Sequence, residues 1–125
     1  VNDSMPNFVL NRILDIMKEN NIKNFSRVGL YGITYKENVD DIRESPTLQL
    51  LNFMDCESRE SIKLYDPLIN EIIFNNQYTN FNTFISDIDI IVIMVSHNHI
   101  KNLIHQCING KDFIYSMNLN FIIVI

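Results

Sequence analysis

The chain is poor in the residues that define several protein classes. It has no tryptophan and only three glycines, three prolines and two cysteines. The cysteines, Cys56 and Cys107, lie far apart and form no Cys-x-x-Cys pair. At this length a domain can bury a core without disulfides or metal. We therefore expect two reduced thiols, as in a cytoplasmic protein.

Long apolar segments and concentrated positive charge are also missing. The longest apolar run, residues 90–95, is far too short to span a bilayer. The first residues have neither the basic nor the apolar region of a signal peptide, so we expect a cytoplasmic protein without membrane association. The net charge is −5 and the ten Lys and Arg residues are scattered. We accordingly expect no nucleic-acid partner.

The remaining composition is that of one folded domain, with 125 residues, 46% hydrophobic and 20% charged. Helical and strand patterns alternate, which predicts an α/β three-layer, Rossmann-like domain with a mainly parallel sheet. Residues 68–86 give no clear pattern beyond a helical turn near 69–74 and a loop at 75–82. The predicted helices are 4–20, 46–57 and 99–107, and the predicted strands are 27–33, 61–65, 88–95 and one or two within 112–117 and 121–125.

Polar residues follow three of the predicted strands. Ligands of parallel sheets bind beyond the carboxyl ends of the strands. This rule brings Tyr35 and Lys36, Asp66, and Ser96 and His97 to one edge, although they are far apart in the sequence.

The segment between the first strand and the second helix is a candidate anion site. It carries the cations Lys36 and Arg43 and leads into a helix with Ser45 as N-cap and Pro46 at the first helical position. Cations beside a helix N-terminus suit a phosphate ester. A solvated loop with internal ion pairs is the alternative, because four carboxylates lie in the same segment. They are Glu37, Asp40, Asp41 and Glu44.

Other sites have weaker support. Gly29 and Gly32 do not form a Gly-x-Gly-x-x-Gly fingerprint, so dinucleotide binding by this domain alone is not indicated, and we interpret Gly32 as a bend or a close contact. Asp66 is either a ribose-binding acid or part of an Asp-Pro turn. Both cysteines lie near predicted helix ends, where nothing activates a thiol. A metal is not expected, because His97, His99 and His105 lack further ligands at suitable spacing.

Three segments resemble the UDP-glucose/GDP-mannose dehydrogenase family. They are Val1-Asn-Asp-Ser-Met-Pro6, Gly32-Ile-Thr-Tyr-Lys36 and Val39-Asp-Asp-Ile-Arg-Glu-Ser-Pro46. Tyr65-Asp-Pro67 and the strand entry after Ser86 fit the same pattern. The resemblance covers about residues 1–105 and favours the branch that oxidises UDP-N-acetylmannosamine or UDP-N-acetylglucosamine to the uronic acid.

The resemblance implies a domain organisation. Family enzymes have an NAD-binding Rossmann domain, a central helical dimerisation region and a C-terminal UDP-binding domain. By this likeness residues 1–24 are the end of the central helix and residues 25–125 are the UDP-sugar-binding C-terminal domain. The implied partners are a UDP-sugar and the other two domains, in a homodimeric enzyme that serves bacterial capsule or other surface polysaccharide synthesis.

The resemblance also implies residue roles. Tyr35 and Lys36 match the family positions that contact the UDP-sugar. Arg43 matches the arginine that reaches NAD, which is held mainly by the N-terminal domain. The family's catalytic cysteine lies in a Cys-Leu-Pro-Lys-Asp segment that this sequence lacks, so no catalytic residue is assigned and the chain alone is expected to be inactive. The segment 115–118 also lacks the cation that relatives carry near their end. The alternative is a stand-alone or degenerate nucleotide-binding or interaction module without a catalytic role.

Overall fold

The fold is built on a parallel sheet with the strand order β3-β2-β1-β4-β5. A computed structural model describes residues 4–105 and 121–124. The strands are β1 Val28–Tyr31, β2 Lys63–Tyr65, β3 Gln77–Tyr78, β4 Ile90–Ile93 and β5 Phe121–Val124. The helices are α1 Ser4–Glu19, α2 Pro46–Phe53, α3 Cys56–Ser61, α4 Phe81–Ser86 and α5 Asn98–His105, and a 3-10 turn at Phe25–Arg27 leads into β1. The predicted α/β class and parallel sheet are confirmed.

Two hydrophobic clusters cover the two faces of the sheet. Successive strand residues point to opposite faces, so Leu30 of β1 packs with α1 and α2 while Tyr31 packs with α4 and α5. Both faces are apolar, as is usual when helices cover a parallel sheet on both sides. The result is the predicted three-layer arrangement. Within the described residues, no helix is long and apolar enough to cross a membrane.

Helix α1 buries one stripe of apolar residues. Val9, Ile13, Ile16 and Met17 recur at helical spacing and enter the same cluster as Leu30. The helix ends where Asn21 adopts a left-handed conformation with φ 57° and the Ile22 N–H reaches the Met17 carbonyl at 2.8 Å. Residues 4–19 therefore share a core with the sheet. The domain boundary after residue 24 stays a prediction.

The prediction of one continuous helix over 46–57 is wrong, because the helix is interrupted after Phe53. Helix α2 begins as predicted, with the Ser45 side chain accepting from the Leu48 N–H at 3.1 Å, but it ends at Phe53. Asp55 then caps the separate helix α3 by accepting from the Ser58 N–H at 2.8 Å. A competing N-cap thus splits one predicted helix into two. Cys56 is exposed in the first turn of α3, not at the end of a longer helix.

The segment 68–86 also differs from its prediction. No helical turn forms at 69–74, and the predicted loop at 75–82 contains β3 and the first residues of α4. Asn80 begins α4 by accepting from the Thr83 N–H at 3.0 Å. Abundant asparagine made this cap hard to distinguish from a turn. The predicted strand at 112–117 and Cys107 lie outside the described residues.

Candidate functional site

Three loops meet at the carboxyl edge of the sheet. The pairings of Tyr31 with Tyr65 and with Ile93 align the ends of β1, β2 and β4. The following residues therefore lie side by side. The predicted grouping of Tyr35 and Lys36, Asp66, and Ser96 and His97 along one edge is confirmed.

The carboxylate of Asp66 is the centre of this edge. Its side chain is fully buried, and Oδ2 accepts hydrogen bonds from the backbone N–H groups of Ile33 at 2.7 Å and Thr34 at 3.1 Å. Oδ1 accepts from the Leu68 N–H at 2.8 Å, and His97 Nε2 lies 3.0 Å from Oδ2. Every oxygen of this buried charge is thus hydrogen-bonded, which is the condition under which burial is tolerated.

These contacts also set the acidity of Asp66. Burial by itself raises the pKa of a carboxyl group. The hydrogen bonds from His97 and from the N–H groups of Leu68 and Ile33 outweigh burial and lower the pKa of Asp66 below its ordinary value. The group is therefore a carboxylate at neutral pH.

His97 joins Asp66 to the loop that follows β1. Its Nδ1 accepts a hydrogen bond from the Asn38 N–H at 2.8 Å, so the ring proton is assigned to Nε2. Nε2 lies 3.0 Å from both Asp66 Oδ2 and Thr34 Oγ1. The Thr34 hydroxyl in turn donates to the Lys36 carbonyl at 3.2 Å. The sequence indicated Asp66 and His97 by their position after strands, whereas Thr34 was only part of a segment that resembles the family and had no predicted role.

This network occupies the turn where a dinucleotide-binding domain would hold phosphate. The N–H groups of Ile33 and Thr34 point at Asp66 and not at an open cleft. Gly32 has φ +99°, and a Cβ on it would lie 2.8 Å from Val95 Cβ. The predicted role of Gly32 as a bend with a close contact is confirmed. The geometry argues against a pyrophosphate at this turn, because its donors already serve an internal carboxylate.

Tyr35 and Arg43 come together on the outer side of the loop. An open pocket of about 610 Å³ is lined by Tyr35, Asp41, Arg43 and Glu44. The Tyr35 N–H donates to the Asp41 carbonyl at 2.6 Å, and the side chain of Tyr35 is 52% exposed. Lys36 is exposed next to Tyr35, and its ammonium group has no partner among the described residues. The structure therefore places all three predicted site residues on one exposed loop.

Two of the four carboxylates in this loop are already paired with cations. Arg43 lies 2.7 Å from Asp41 in an exposed ion pair, and its hydrogen bonds lower the pKa of Asp41 to about 2. Lys101 of α5 lies 2.8 Å from Glu37, and this hydrogen bond lowers the pKa of Glu37. Exposed pairs of this kind are weak, so Arg43 can exchange Asp41 for another anion at little cost. Because Lys101 lies outside this loop in the sequence, its pairing with Glu37 makes the net negative charge of the loop smaller than the sequence suggested.

The remaining predicted candidates are separated by the fold. His97 contacts Asp66, whereas His99 Nδ1 shares a hydrogen bond of 2.9 Å with the buried Tyr31 hydroxyl. Burial lowers the pKa of His99 and raises that of Tyr31. In the part of the chain that the structure describes, no three His, Cys, Asp or Glu residues form a metal-binding group. Cys56 lies on α3, before β2 begins, and thus at the opposite edge of the sheet.

Comparison with known proteins decides the family. The model of the UDP-glucose/GDP-mannose dehydrogenase family, UDP binding domain, matches residues 29–120. The chain belongs to the UDP-glucose/GDP-mannose dehydrogenase family. The match covers the loop with Tyr35, Lys36 and Arg43, and the resemblance stated above is confirmed.

Relatives in this family carry dehydrogenase names. A UDP-N-acetyl-D-mannosamine dehydrogenase of Methanocaldococcus jannaschii is 37% identical over 102 residues, which are 82% of this chain and 22% of that protein. The UDP-N-acetyl-mannosamine dehydrogenase Cap5O of Staphylococcus aureus is 31% identical with a TM-score of 0.66, over 81% of this chain and 23% of that one. UDP-D-ManNAc dehydrogenase of Pyrococcus horikoshii is 25% identical with the same TM-score, over 95% of this chain and 26% of that one. The chain thus spans about a quarter of the length of these dehydrogenases.

Proposed function

We propose that this chain is the UDP-sugar-binding part of an NAD-dependent nucleotide-sugar dehydrogenase of the UDP-N-acetylmannosamine dehydrogenase type. The family match supplies the UDP-binding domain, and the named relatives suggest the sugar. Residues 1–24 are proposed as the end of a helix that connects to the other domains of a cytoplasmic, homodimeric enzyme. Since relatives come from Methanocaldococcus as well as Staphylococcus, we propose neither a bacterial source nor a role in capsule synthesis.

The observation that carries this proposal is the exposed side chain of Lys36, which has no partner among the described residues. It is exposed at the carboxyl edge, beside the pocket that Tyr35 and Arg43 line. Its nearest carboxylate along the chain, Glu37, is already paired with Lys101. An ammonium group without a partner among the described residues is suited to a phosphate oxygen.

The other two residues complete the proposed contacts. Tyr35 offers a half-exposed ring beside the phosphate position, where it can pack on the nucleotide. Arg43 would leave its exposed pair with Asp41 and reach NAD on the neighbouring domain. Arg43 now contacts Asp41 through Nε and Nη2, and a guanidinium group binds phosphate through two hydrogen bonds as well, so the exchange would replace one such pair with another.

Oxidation of the sugar is assigned to residues outside this chain. NAD supplies the hydride acceptor, and the proposed task of this domain is to orient the sugar through its remote nucleotide. Of the described residues, Cys56 is the only cysteine, and it lies at the edge opposite to Lys36. We propose that the chain alone does not turn over substrate. Formation of NADH by the isolated chain with NAD and UDP-N-acetylmannosamine would overturn this part.

Calorimetric titration with UDP tests the binding proposal. Lys36→Ala should weaken binding by roughly 10- to 100-fold, because a hydrogen bond to a charged group contributes about 1.5–3 kcal/mol. Lys23→Ala is the matched control, since it removes the same charge from an exposed lysine before β1, at the other edge of the sheet. The control should bind UDP like the unmodified chain.

Two results would contradict the proposal. One is the absence of both heat and any amide chemical-shift change at Tyr35 and Lys36 on adding millimolar UDP. The other is equal weakening by Lys36→Ala and Lys23→Ala, which would indicate a general effect of net charge.

A further inference from the structure

His97 connects the core of the domain to the loop that carries the proposed ligand contacts. Its side chain is buried, with 1% of its surface exposed. The two ring nitrogens have different partners: Nε2 lies 3.0 Å from Asp66 Oδ2, and Nδ1 accepts from the Asn38 N–H at 2.8 Å. One imidazole thus bridges the residue after β2 to the loop after β1.

The backbone is held on both sides of Lys36. Before it, the Thr34 hydroxyl contacts His97 Nε2 at 3.0 Å and donates to the Lys36 carbonyl at 3.2 Å. After it, Asn38 takes the left-handed conformation with φ 61°, and its Oδ1 accepts from the Asn98 N–H at 3.0 Å. The main chain of Lys36 is fixed, while its side chain extends into solvent.

We propose that His97 is a positioning residue for UDP binding, which acts by holding the loop of residues 34–38 so that Lys36 meets the ligand. This inference rests on the proposed function, because it takes Lys36 as the residue that contacts UDP. It assigns no ligand contact to His97 itself. The Asp66 carboxylate orients the ring through Nε2 and leaves Nδ1 free to accept from Asn38. A hydrogen bond fixed by a second group is the usual way in which a binding side chain is held in place.

The two nitrogens allow a matched pair of variants. In His97→Asn the side-chain oxygen reaches the position of Nδ1 and can still accept from the Asn38 N–H, but the contact with Asp66 is lost. In His97→Gln the amide reaches the position of Nε2 and can still donate to Asp66, but the acceptor for Asn38 is lost. Tyr31→Phe is the control, since it keeps the ring but removes the hydroxyl, which shares a part-buried hydrogen bond with His99 and contacts the backbone of Ile100, both outside the loop.

Three measurements on the full chain separate positioning from general stability. They are the UDP affinity by calorimetry, the hydrogen-exchange rate of the Asn38 amide, and unfolding in urea. We expect His97→Gln to weaken UDP binding about tenfold, the factor that corresponds to roughly 1.4 kcal/mol. We also expect it to accelerate exchange at Asn38 by a similar factor. His97→Asn should retain more affinity than His97→Gln, and Tyr31→Phe should lower stability without changing the affinity.

Several outcomes would overturn the proposal. They are unchanged affinity and unchanged Asn38 exchange in His97→Gln, the reverse order of the two His97 variants, or an equal loss of affinity in Tyr31→Phe. If the unmodified chain binds no UDP, the proposed function fails for the isolated chain. The exchange rate of the Asn38 amide then tests only whether His97 holds the loop. Should the variants fail to fold, the tautomer of His97 in the unmodified protein is measured by a long-range ¹⁵N–¹H spectrum. A proton on Nδ1 would contradict the hydrogen bond that Nδ1 accepts from Asn38.

Discussion

The buried carboxylate of Asp66 gives the sharpest prediction about stability. Asp66→Asn keeps the shape of the side chain but removes the charge and one acceptor oxygen. If the remaining oxygen faces Ile33 and Thr34, the new NH₂ group faces the Leu68 N–H, and two donors meet. The opposite orientation is worse, because it places the NH₂ group against three donors, which are the N–H groups of Ile33 and Thr34 and Nε2 of His97. No rotamer of asparagine satisfies all four contacts.

The expected cost follows from these contacts. An N–H group left without an acceptor in a buried place costs about 1–3 kcal/mol. The hydrogen bonds that remain lose the contribution of the charge, while asparagine avoids the cost of burying a carboxylate, and these two effects offset each other in part. We therefore expect a loss of roughly 1–3 kcal/mol from a free energy of unfolding that is about 5–15 kcal/mol for a domain of this kind.

The pH dependence gives an independent check. The pKa of Asp66 is lowered by folding, so its contribution to stability is fully present above the unfolded value of about 3.9. The contribution is lost as pH falls through the lower pKa of the folded state. The stability difference between the unmodified chain and Asp66→Asn should therefore be constant near neutral pH. It should shrink below about pH 4, where the carboxyl group of the unfolded chain begins to bind a proton while that of the folded chain is still ionised.

Urea unfolding at pH 7 and at stepwise lower pH measures both effects. Asp15→Asn, on the exposed side of α1, is the control and should change the free energy of unfolding by less than about 0.5 kcal/mol. The reasoning would be refuted if the two variants were equally stable at pH 7. It would also be refuted if the loss in Asp66→Asn persisted undiminished at a pH where the unmodified carboxyl group is protonated.

Two further predictions concern Gly32 and Tyr78. Gly32→Ala should destabilise the chain by about 2–4 kcal/mol in urea unfolding, because φ is +99° and the new Cβ would lie 2.8 Å from Val95 Cβ and N; a loss below about 1 kcal/mol would contradict this. Burial and the hydrogen bond to Asp87 raise the pKa of Tyr78 to about 12. Asp87→Asn should lower this pKa in an ultraviolet titration, although the part of the increase that burial causes should remain, and an unchanged titration would show that the hydrogen bond has no such effect.

The fold could be predicted from the sequence wherever one local signal dominated. The apolar stripe of α1, the Ser45-Pro46 start of α2 and the apolar run of β4 each act within a few residues, and all were found. The prediction failed where two local signals competed. Asp55 ends one helix by beginning another, and Asn80 caps α4 within a segment rich in asparagine. The choice between cap and turn there depends on tertiary packing.

Strand ends depended on contacts between strands. Residue 33 continues the apolar pattern of β1, but its N–H donates to Asp66 and not to a neighbouring strand. The N–H groups of Met94 and Val95 both point at the Tyr31 carbonyl, at 2.9 and 3.4 Å, so β4 ends at Ile93. Such endings are set by the turn at Gly32, which hydrophobic periodicity does not detect.

The sequence by itself determined the alternation of helices and strands, the edge of the sheet at which Lys36, Asp66 and His97 lie, and the motif on which the family resemblance rests. These properties follow from side-chain type and spacing over short distances. Only the tertiary structure decided that Asp66, His97 and Asn38 form one network and that Lys101 pairs with Glu37, leaving Lys36 without a partner among the described residues. The residues of these contacts are dozens of positions apart, and the register of the parallel strands brings them within hydrogen-bond distance.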